Sequence, residues 1–285
     1  MPKIIDSLAA LDEHISTAPE QGRAVVMTMG ALHPGHMSLV DTARELVGPA
    51  GEVMVTIFVN PLQFGANEDL DKYPRTFDDD VAMCEAAGVD VIFAPTPELM
   101  YPDGEAAITI QPGPLGALYE GAARPTHFAG VLTVVAKLLN LTKPNYAVYG
   151  EKDYQQLALI GRMARELNSD VEIVGSPTIR EADGLALSSR NRYLDEEGRQ
   201  AASEISTAIE LAQQTARAGG TAEEIAATAQ DHLAQFPALK VDYVVLTSND
   251  LGDPPTSGSA RLLVTAYVGS TRLLDNAEVV INSGS

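Results

Sequence analysis

A chain of 285 residues, 45% of them hydrophobic, carries enough apolar surface for one large or two moderate packed domains, which excludes global disorder. Its 19 Lys and Arg against 39 Asp and Glu give a formal net charge of -20, a surface that repels a phosphate backbone and argues against a nucleic-acid partner. The single cysteine, Cys84, cannot form an internal disulfide, and no apolar run reaches the length of a membrane span.

The opening stretch MPKIIDSLAALDEHI lacks the continuous apolar core of a signal peptide, so a cytoplasmic protein with no membrane partner is expected. Beyond it, short apolar runs alternate with helical patterns. Strands are predicted at 23–28 (RAVVMT), 52–59 (EVMVTIFV), 89–93 (VDVIF), 145–149 (NYAVY) and 171–174 (VEIV). Helices are predicted at 38–47, 76–87, 128–141 and 154–167, where apolar residues recur at three- and four-residue spacing. Cys84 falls in the second of these and reads as a small buried apolar residue. Strand and helix in alternation imply parallel βαβ units, hence an α/β, Rossmann-like domain over 1–178 that binds ligands at the carboxyl ends of its strands.

The pattern changes near residue 178. From 195 to 236 two helices are interrupted by Gly219-Gly220, with Thr221 as N-cap and Glu224 completing a capping box. Two strand-like runs follow at 241–247 and 261–268, separated by the turn-rich SNDLGDPPTSGSA. A smaller α+β domain over 179–285, closing over the active site, is the expectation.

Three segments carry residues suited to phosphate chemistry. The first, TMGALHPGH (28–36), leaves a strand and opens a helix: Gly30 and Gly35 let backbone approach a ligand, and His33 and His36 stand beside free N–H groups at the helix start. Zinc is the competing use of two histidines, but the chain has only five histidines and one cysteine, with no third ligand at a recognisable spacing. The second, GEKDYQQL (150–157), again joins a strand to a helix. Lys152 can meet a polyphosphate and Asp153 a ribose hydroxyl or magnesium; in isolation an N-cap and a solvated lysine explain them better, and it is the second strand-to-helix turn with phosphate-suited residues that favours the phosphate reading. The third, READGLALSSRN (180–191), is either a polar linker or a donor-rich loop that grips a triphosphate. Neither a P-loop nor a G-x-G-x-x-G fingerprint is present.

Taken with FVNPLQFG (58–65), YPRT (73–76), RPTHFAGVLTVVAKLLNL (124–141), READGLALSSRNRYL (180–194) and TRLLDN (271–276), these segments resemble the successive blocks of the pantothenate synthetase family, in family order and over nearly the whole chain. That family belongs to the wider H-x-G-H nucleotidyltransferase-like group. The resemblance implies an ATP-dependent ligase that activates pantoate as pantoyl adenylate, with magnesium, and joins it to β-alanine; it also implies a homodimer. It assigns catalysis to His36, His33, Lys152 and Arg190. Met29, Gly30, Ala31, Leu32, His33, Pro34, Gly35 and His36 would line the ATP site from the first segment. Gly150, Glu151, Lys152, Asp153, Ile179, Leu187, Ser188, Ser189 and Arg190 would line it from the other two. Gln63 and Gln156 match the two glutamines that hold pantoate, and Gln63 also lies where β-alanine enters. Asn60, Tyr73, Arg124 and His127 fall in the same blocks. Asp79 and Asp80 are the implied magnesium contacts, although Met83 stands where some relatives carry a further polar ligand. At this level two rivals stay open: a nucleotidyltransferase that never releases AMP, and a nucleotide-sensing module without turnover.

Overall fold

The structure, a computed structural model, describes residues 1–17, 19–65, 70, 73–104 and 106–282. It falls into two compact units, one of Met1–Gly150 with Leu159–Ser176 and the other of Glu151–Ala158 with Pro177–Ser285. These units are drawn differently from the division at 178/179 read from the sequence. The cause is local: the carbonyls of Glu151 and Lys152 accept from the Asn276 side chain, and Tyr154 donates to the Asn249 carbonyl, so the 151–158 segment groups with the C-terminal residues.

The first unit is built on a six-stranded, all-parallel sheet in the order β1-β4-β3-β2-β5-β6, formed by β1 (Lys3–Ile5), β2 (Arg23–Thr28), β3 (Glu52–Ile57), β4 (Val91–Phe93), β5 (Tyr146–Gly150) and β6 (Glu172–Ser176). Its helices are α1 (Leu8–Ile15), α2 (Pro34–Val47), α3 (Phe77–Ala86), α4 (Pro97–Met100), α5 (Glu120–Ala123) and α6 (His127–Thr142); α7 (Tyr154–Glu166) begins in the other unit and ends in this one. Central strands of a parallel sheet are covered on both faces, and β2 accordingly reads as the near-continuous apolar run RAVVMT, buried at every position but Met27. Helix α2 starts on Pro34, whose fixed φ suits the first helical position, and buries Leu39, Val40, Ala43 and Val47. Cys84 is fully buried on α3, where burial, with the Asp80 carboxylate adding, pushes its thiol up to about 11.

Strand order fixes where a ligand can bind. From β2 the chain proceeds through β3 to β4 on one side, then returns to place β5 on the other side of β2. The order reverses between β2 and β5, which makes their carboxyl ends, Thr28 and Gly150, the switch point of the sheet.

In the second unit α8 (Glu196–Arg217) and α9 (Ala222–Leu233) pack with an antiparallel sheet ordered β7-β8-β9: β7 (Leu239–Thr247), β8 (Gly258–Val268) and β9 (Thr271–Ile281). Its core holds Ile205, Ile209, Ile225, Leu233, Leu262 and Val264. The capping box forms as expected, with the Glu224 N–H donating to Thr221 Oγ1 at 3.2 Å and the Thr221 N–H to Glu224 Oε2 at 2.8 Å. Several elements escape the sequence reading, among them the four-residue helices α4 and α5, each a single turn. Strand β1 is only three residues long, too short for a periodicity, and α1 lies in the stretch read only for a leader. Strand β9 has its apolar alternation broken by buried Asp275 and Asn276.

Gly130 on α6 locks this helix to the turn that follows β3, because a Cβ there would stand 2.2 Å from the Leu62 carbonyl oxygen. Backbone cannot yield as a flexible side chain can. Gly130→Ala should therefore destabilise the chain by about 1–3 kcal/mol, read from the urea midpoint at unchanged m-value.

Candidate active site

The turn from β2 into α2 is shaped by two side chains outside it. Thr28 Oγ1 donates to the Thr56 carbonyl at 2.8 Å and accepts from the Gly30 N–H at 3.2 Å. Asp80, 2% exposed on α3, accepts the Ala31 N–H at Oδ2 (3.1 Å) and the Leu32 N–H at Oδ1 (2.8 Å). Thr76 Oγ1 donates to the same Oδ1 at 3.2 Å. These bonds hold Ala31 at φ 50, in the left-handed region that costs a residue with a Cβ about 1–2 kcal/mol. Gly30 has φ 79, and a Cβ there would meet Asp80 Oδ2 at 2.8 Å, so only glycine permits the close approach of this carboxylate.

The two histidines meet at the start of α2. His33 is the N-cap residue, Pro34 and Gly35 open the helix, and the His33 and His36 rings stand 4.0 Å apart, centroid to centroid. The His33 N–H donates to His36 Nδ1 at 3.3 Å. With Nδ1 an acceptor, the neutral His36 ring carries its proton on Nε2 and is a donor there. A donor imidazole beside a helix N-terminus is suited to an anion.

Gln63 closes the Pro61–Gln63 turn and is 9% exposed. Its Oε1 accepts from Asn60 Nδ2 at 3.2 Å and its Nε2 donates to Met29 Sδ at 2.9 Å, which joins the turn after β3 to the turn after β2. Asn60, 1% exposed, also donates to the Gly130 carbonyl (3.2 Å) and accepts at Oδ1 from the Tyr101 hydroxyl (2.8 Å) and the Leu62 N–H (3.3 Å). The Gln63 carbonyl accepts from Arg124 at 3.3 Å and lies 3.1 Å from His127 Nδ1. Tyr73 packs edge-on to Phe64, with ring centroids 5.9 Å apart.

In the second unit, Glu151–Asp153 form a 3-10 turn that leads into α7. Glu151 pairs with Arg261 at 2.9 Å, Lys152 Nζ lies 3.7 Å from Asp153, and the Arg261 guanidinium sits 4.1 Å over the Tyr154 ring. Ile179 and Leu187 are drawn together by a Leu187 N–H to Ile179 carbonyl bond of 2.8 Å, at the mouth of a loop that turns on Gly184. Ser188 Oγ accepts from the Arg190 N–H at 3.2 Å, and Ser189 and Arg190 are exposed. Lys152, Ser188, Arg190 and Asn191 line one cavity. Gln156 is half-buried in the first turn of α7; it and Gln63 fall in different units.

The two implied magnesium contacts, Asp79 and Asp80, differ in their surroundings. Both oxygens of Asp80 are committed to the turn, Asp79 is exposed, and among the described residues no group of three or more His, Cys, Asp or Glu side chains could hold an ion. Asp80 holds the turn from beneath the Ala31 and Leu32 amides, a structural part played by the same carboxylate for which the resemblance implies a magnesium contact. Sequence reasoning assigned no role to Tyr101, Arg261, Asp275 or Asn276, and a strand segment with two adjacent polar residues, LLDNA, was the available signal for the last pair.

A family model described as pantoate-beta-alanine ligase matches residues 3–278. The chain is 57% identical over 261 residues to a pantothenate synthetase of Nocardia farcinica, covering 91% of this chain and 80% of that protein. A pantothenate synthetase of Mycolicibacterium paratuberculosis is 54% identical over 264 residues, covering 92% and 84%. Among solved structures, a pantothenate synthetase from Thermus thermophilus superposes with a TM-score of 0.88 at 43% identity, covering 96% of this chain and 98% of that one. A pantoate-beta-alanine ligase from Francisella tularensis, complexed with beta-gamma ATP and beta-alanine, gives 0.77 at 33% identity, covering 97% of each chain. No helix among the described residues is long and apolar enough to cross a membrane.

Burial moves the Tyr101 hydroxyl from 10.0 up to about 12, so the fold favours the neutral donor that Asn60 requires. Its contribution is complete below pH 10 and is lost as pH rises toward 12. Tyr101→Phe should lower stability by about 1 kcal/mol at neutral pH and lose less than the parent between pH 10 and 12, measured by urea unfolding across that range.

Proposed function

The chain belongs to the pantoate-beta-alanine ligase family, and from that membership we propose how its own residues carry out the ligation of (R)-pantoate and β-alanine. The reaction has two steps. The pantoate carboxylate attacks the α-phosphorus of ATP, the bond from that phosphorus to the bridging oxygen breaks, and pyrophosphate leaves. The amine of β-alanine then attacks the acyl carbon of pantoyl adenylate, loses a proton, and expels AMP as the C–O bond breaks. No residue becomes covalently attached.

The observation that carries this reading is the β2–α2 turn, a donor imidazole at a helix start and at the switch point of a parallel sheet, inside a family match over residues 3–278. Two anions must be brought together in the first step, and negative charge then grows on the departing pyrophosphate. Aligned cations and donors lower that barrier. His36 Nε2, His33, Lys152 and Arg190 take this role in the proposal, with the backbone from Met29 to Gly35, Gly150 to Asp153, Ile179 and Leu187 to Ser189 around the nucleotide. Gln63 and Gln156 hold pantoate, and Gln63 also meets β-alanine; the bonds of Gln63 to Asn60 and Met29 support an amide held in one orientation. Magnesium enters this reading only as the counter-ion of the ATP phosphates. A homodimer, a cytoplasmic location and the absence of a nucleic-acid partner complete it.

Incubation of the protein with ATP, magnesium, pantoate and β-alanine should yield pantothenate, AMP and pyrophosphate in equal amounts by mass spectrometry. Release of pyrophosphate without AMP would assign the chain to the nucleotidyltransferases instead.

His36→Ala should slow adenylate formation roughly 100-fold while weakening ATP binding far less, because the lost donor acts mainly as charge develops. Prepared pantoyl adenylate and β-alanine, supplied in a single turnover, should react at nearly the parent rate. Equal loss in both steps would make His36 a structural residue. Asp80→Ala should raise the KM for ATP roughly tenfold through the loosened turn, since about two hydrogen bonds are lost. Excess magnesium should not restore it; restoration would return the carboxylate to the metal.

A further inference from the structure

We propose that Asp275 and Asn276 on β9 are positioning residues for adenylate formation, a buried dipeptide that fixes the turn carrying Lys152 and the loop carrying Ser188 and Arg190 from one point of the strand. The proposal rests on the reading of Lys152 and Arg190 as ATP-facing residues and adds what sets their geometry.

Asn276 is 3% exposed. Its Nδ2 donates to the carbonyls of Glu151 (3.0 Å) and Lys152 (2.8 Å), and its Oδ1 accepts from Arg261 Nε at 2.7 Å. Two carbonyls demand a donor and the guanidinium demands an acceptor, so the orientation of the carboxamide is determined by its partners. Arg261 closes the ring by pairing with Glu151 at 2.9 Å. An aspartate of the same shape would turn an oxygen toward both carbonyls. The backbone of the Lys152 turn therefore hangs on one amide group.

Asp275 is 4% exposed and serves the other segment. Its Oδ2 and Oδ1 accept from Arg180 Nη1 (2.6 Å) and Nη2 (3.0 Å) in a bidentate pair, and Oδ1 also accepts the Asn276 N–H at 2.7 Å. Arg180 Nη1 reaches on to the Gly184 carbonyl at 3.0 Å, and Arg180 is bridged to Ala186, so Asp275 grips the base of the loop that runs into Ser188 and Arg190. Lys152, Ser188, Arg190 and Asp275 line the same cavity. Adjacent buried polar residues in a strand otherwise filled by Leu273 and Val279 are costly unless every group is bonded, and here the bonds run to the two segments that need placing.

A positioning role predicts non-additivity. Asn276→Asp should lower kcat for adenylate formation, measured by pyrophosphate–ATP exchange, by roughly ten- to a hundredfold, yet cost less than about threefold in a Lys152→Ala background, since residues acting through one another couple. The KM for β-alanine should stay within about twofold of the parent, as no proposed β-alanine contact is touched. Asp275→Asn should couple in the same way to Arg190→Ala. Asn276→Ser, which removes the amide without adding charge, replaces Asn276→Asp if that variant does not fold by circular dichroism. Losses that add in full, a parent-like exchange rate, or failure of both Asn276 variants to fold would overturn the proposal and leave the dipeptide a core element. Calorimetric titration of the parent with ATP separates the underlying reading: a parent that does not bind ATP refutes the ATP-facing assignment, whereas a parent that binds and exchanges with additive variants refutes only the positioning role.

Discussion

A turn that offers its backbone to a ligand cannot meet all its own amides through helix or strand, and a buried amide left unmet costs as much as a lost hydrogen bond. At Ala31 and Leu32 the conflict is resolved by the Asp80 carboxylate, which takes both N–H groups from behind. The consequences spread through the sheet unit. Gly30 has to be glycine because Asp80 occupies the space of its Cβ, Ala31 can sit at positive φ because its N–H is held there, and α2 starts where the held turn ends. The His33 and His36 rings inherit their placement from that start.

The same economy of groups recurs wherever the chain needs a loop to be rigid. Asn60 joins Tyr101, Gly130, Leu62 and Gln63, and Asn276 joins Arg261, Glu151 and Lys152. Each is an amide with opposed donor and acceptor partners, almost wholly buried, so each is worth more as a specifier of geometry than as a source of stability. A network of this kind tolerates little change: replacing one member leaves several groups without bonds at once. Loops placed in this way approach the rigidity of the sheet that carries them.

Much of this was legible in the sequence, for physical reasons that also mark where legibility ended. RAVVMT was readable to the residue because a central parallel strand is a continuous apolar run bounded by turn chemistry. The Thr221–Glu224 cap was readable because its partners are three residues apart. Two of the proposed site segments, 28–36 and 150–157, stood out because each is one unbroken run at a strand exit, while their roles came from the family resemblance alone. Asp80 lay in an acidic run, DDD, in which no local rule separates the buried carboxylate from its exposed neighbours; only the tertiary placement of α3 does. Asp275 and Asn276 hid a strand for the related reason that polar side chains are satisfied by residues about 95 to 125 positions away, a separation invisible to periodicity.

Charge sets the last constraint. With a formal net charge of -20 the chain as a whole repels ATP, so affinity must arise from a few groups at short range, where the Debye length of about 8 Å leaves the rest of the surface screened. Arg180 and Arg261 do not supply that affinity directly, being bound to Asp275, Glu151 and Asn276. Their positive charge instead fixes scaffold. Lys152 differs: its contact with Asp153 is 3.7 Å long and Asp153 is 51% exposed, a pairing worth little. The Asn276 bond to the Lys152 carbonyl meanwhile holds the lysine backbone. A cation held at its backbone and only loosely paired at its ammonium can change partners without moving the chain, which is the property that the proposed phosphate contact of Lys152 requires.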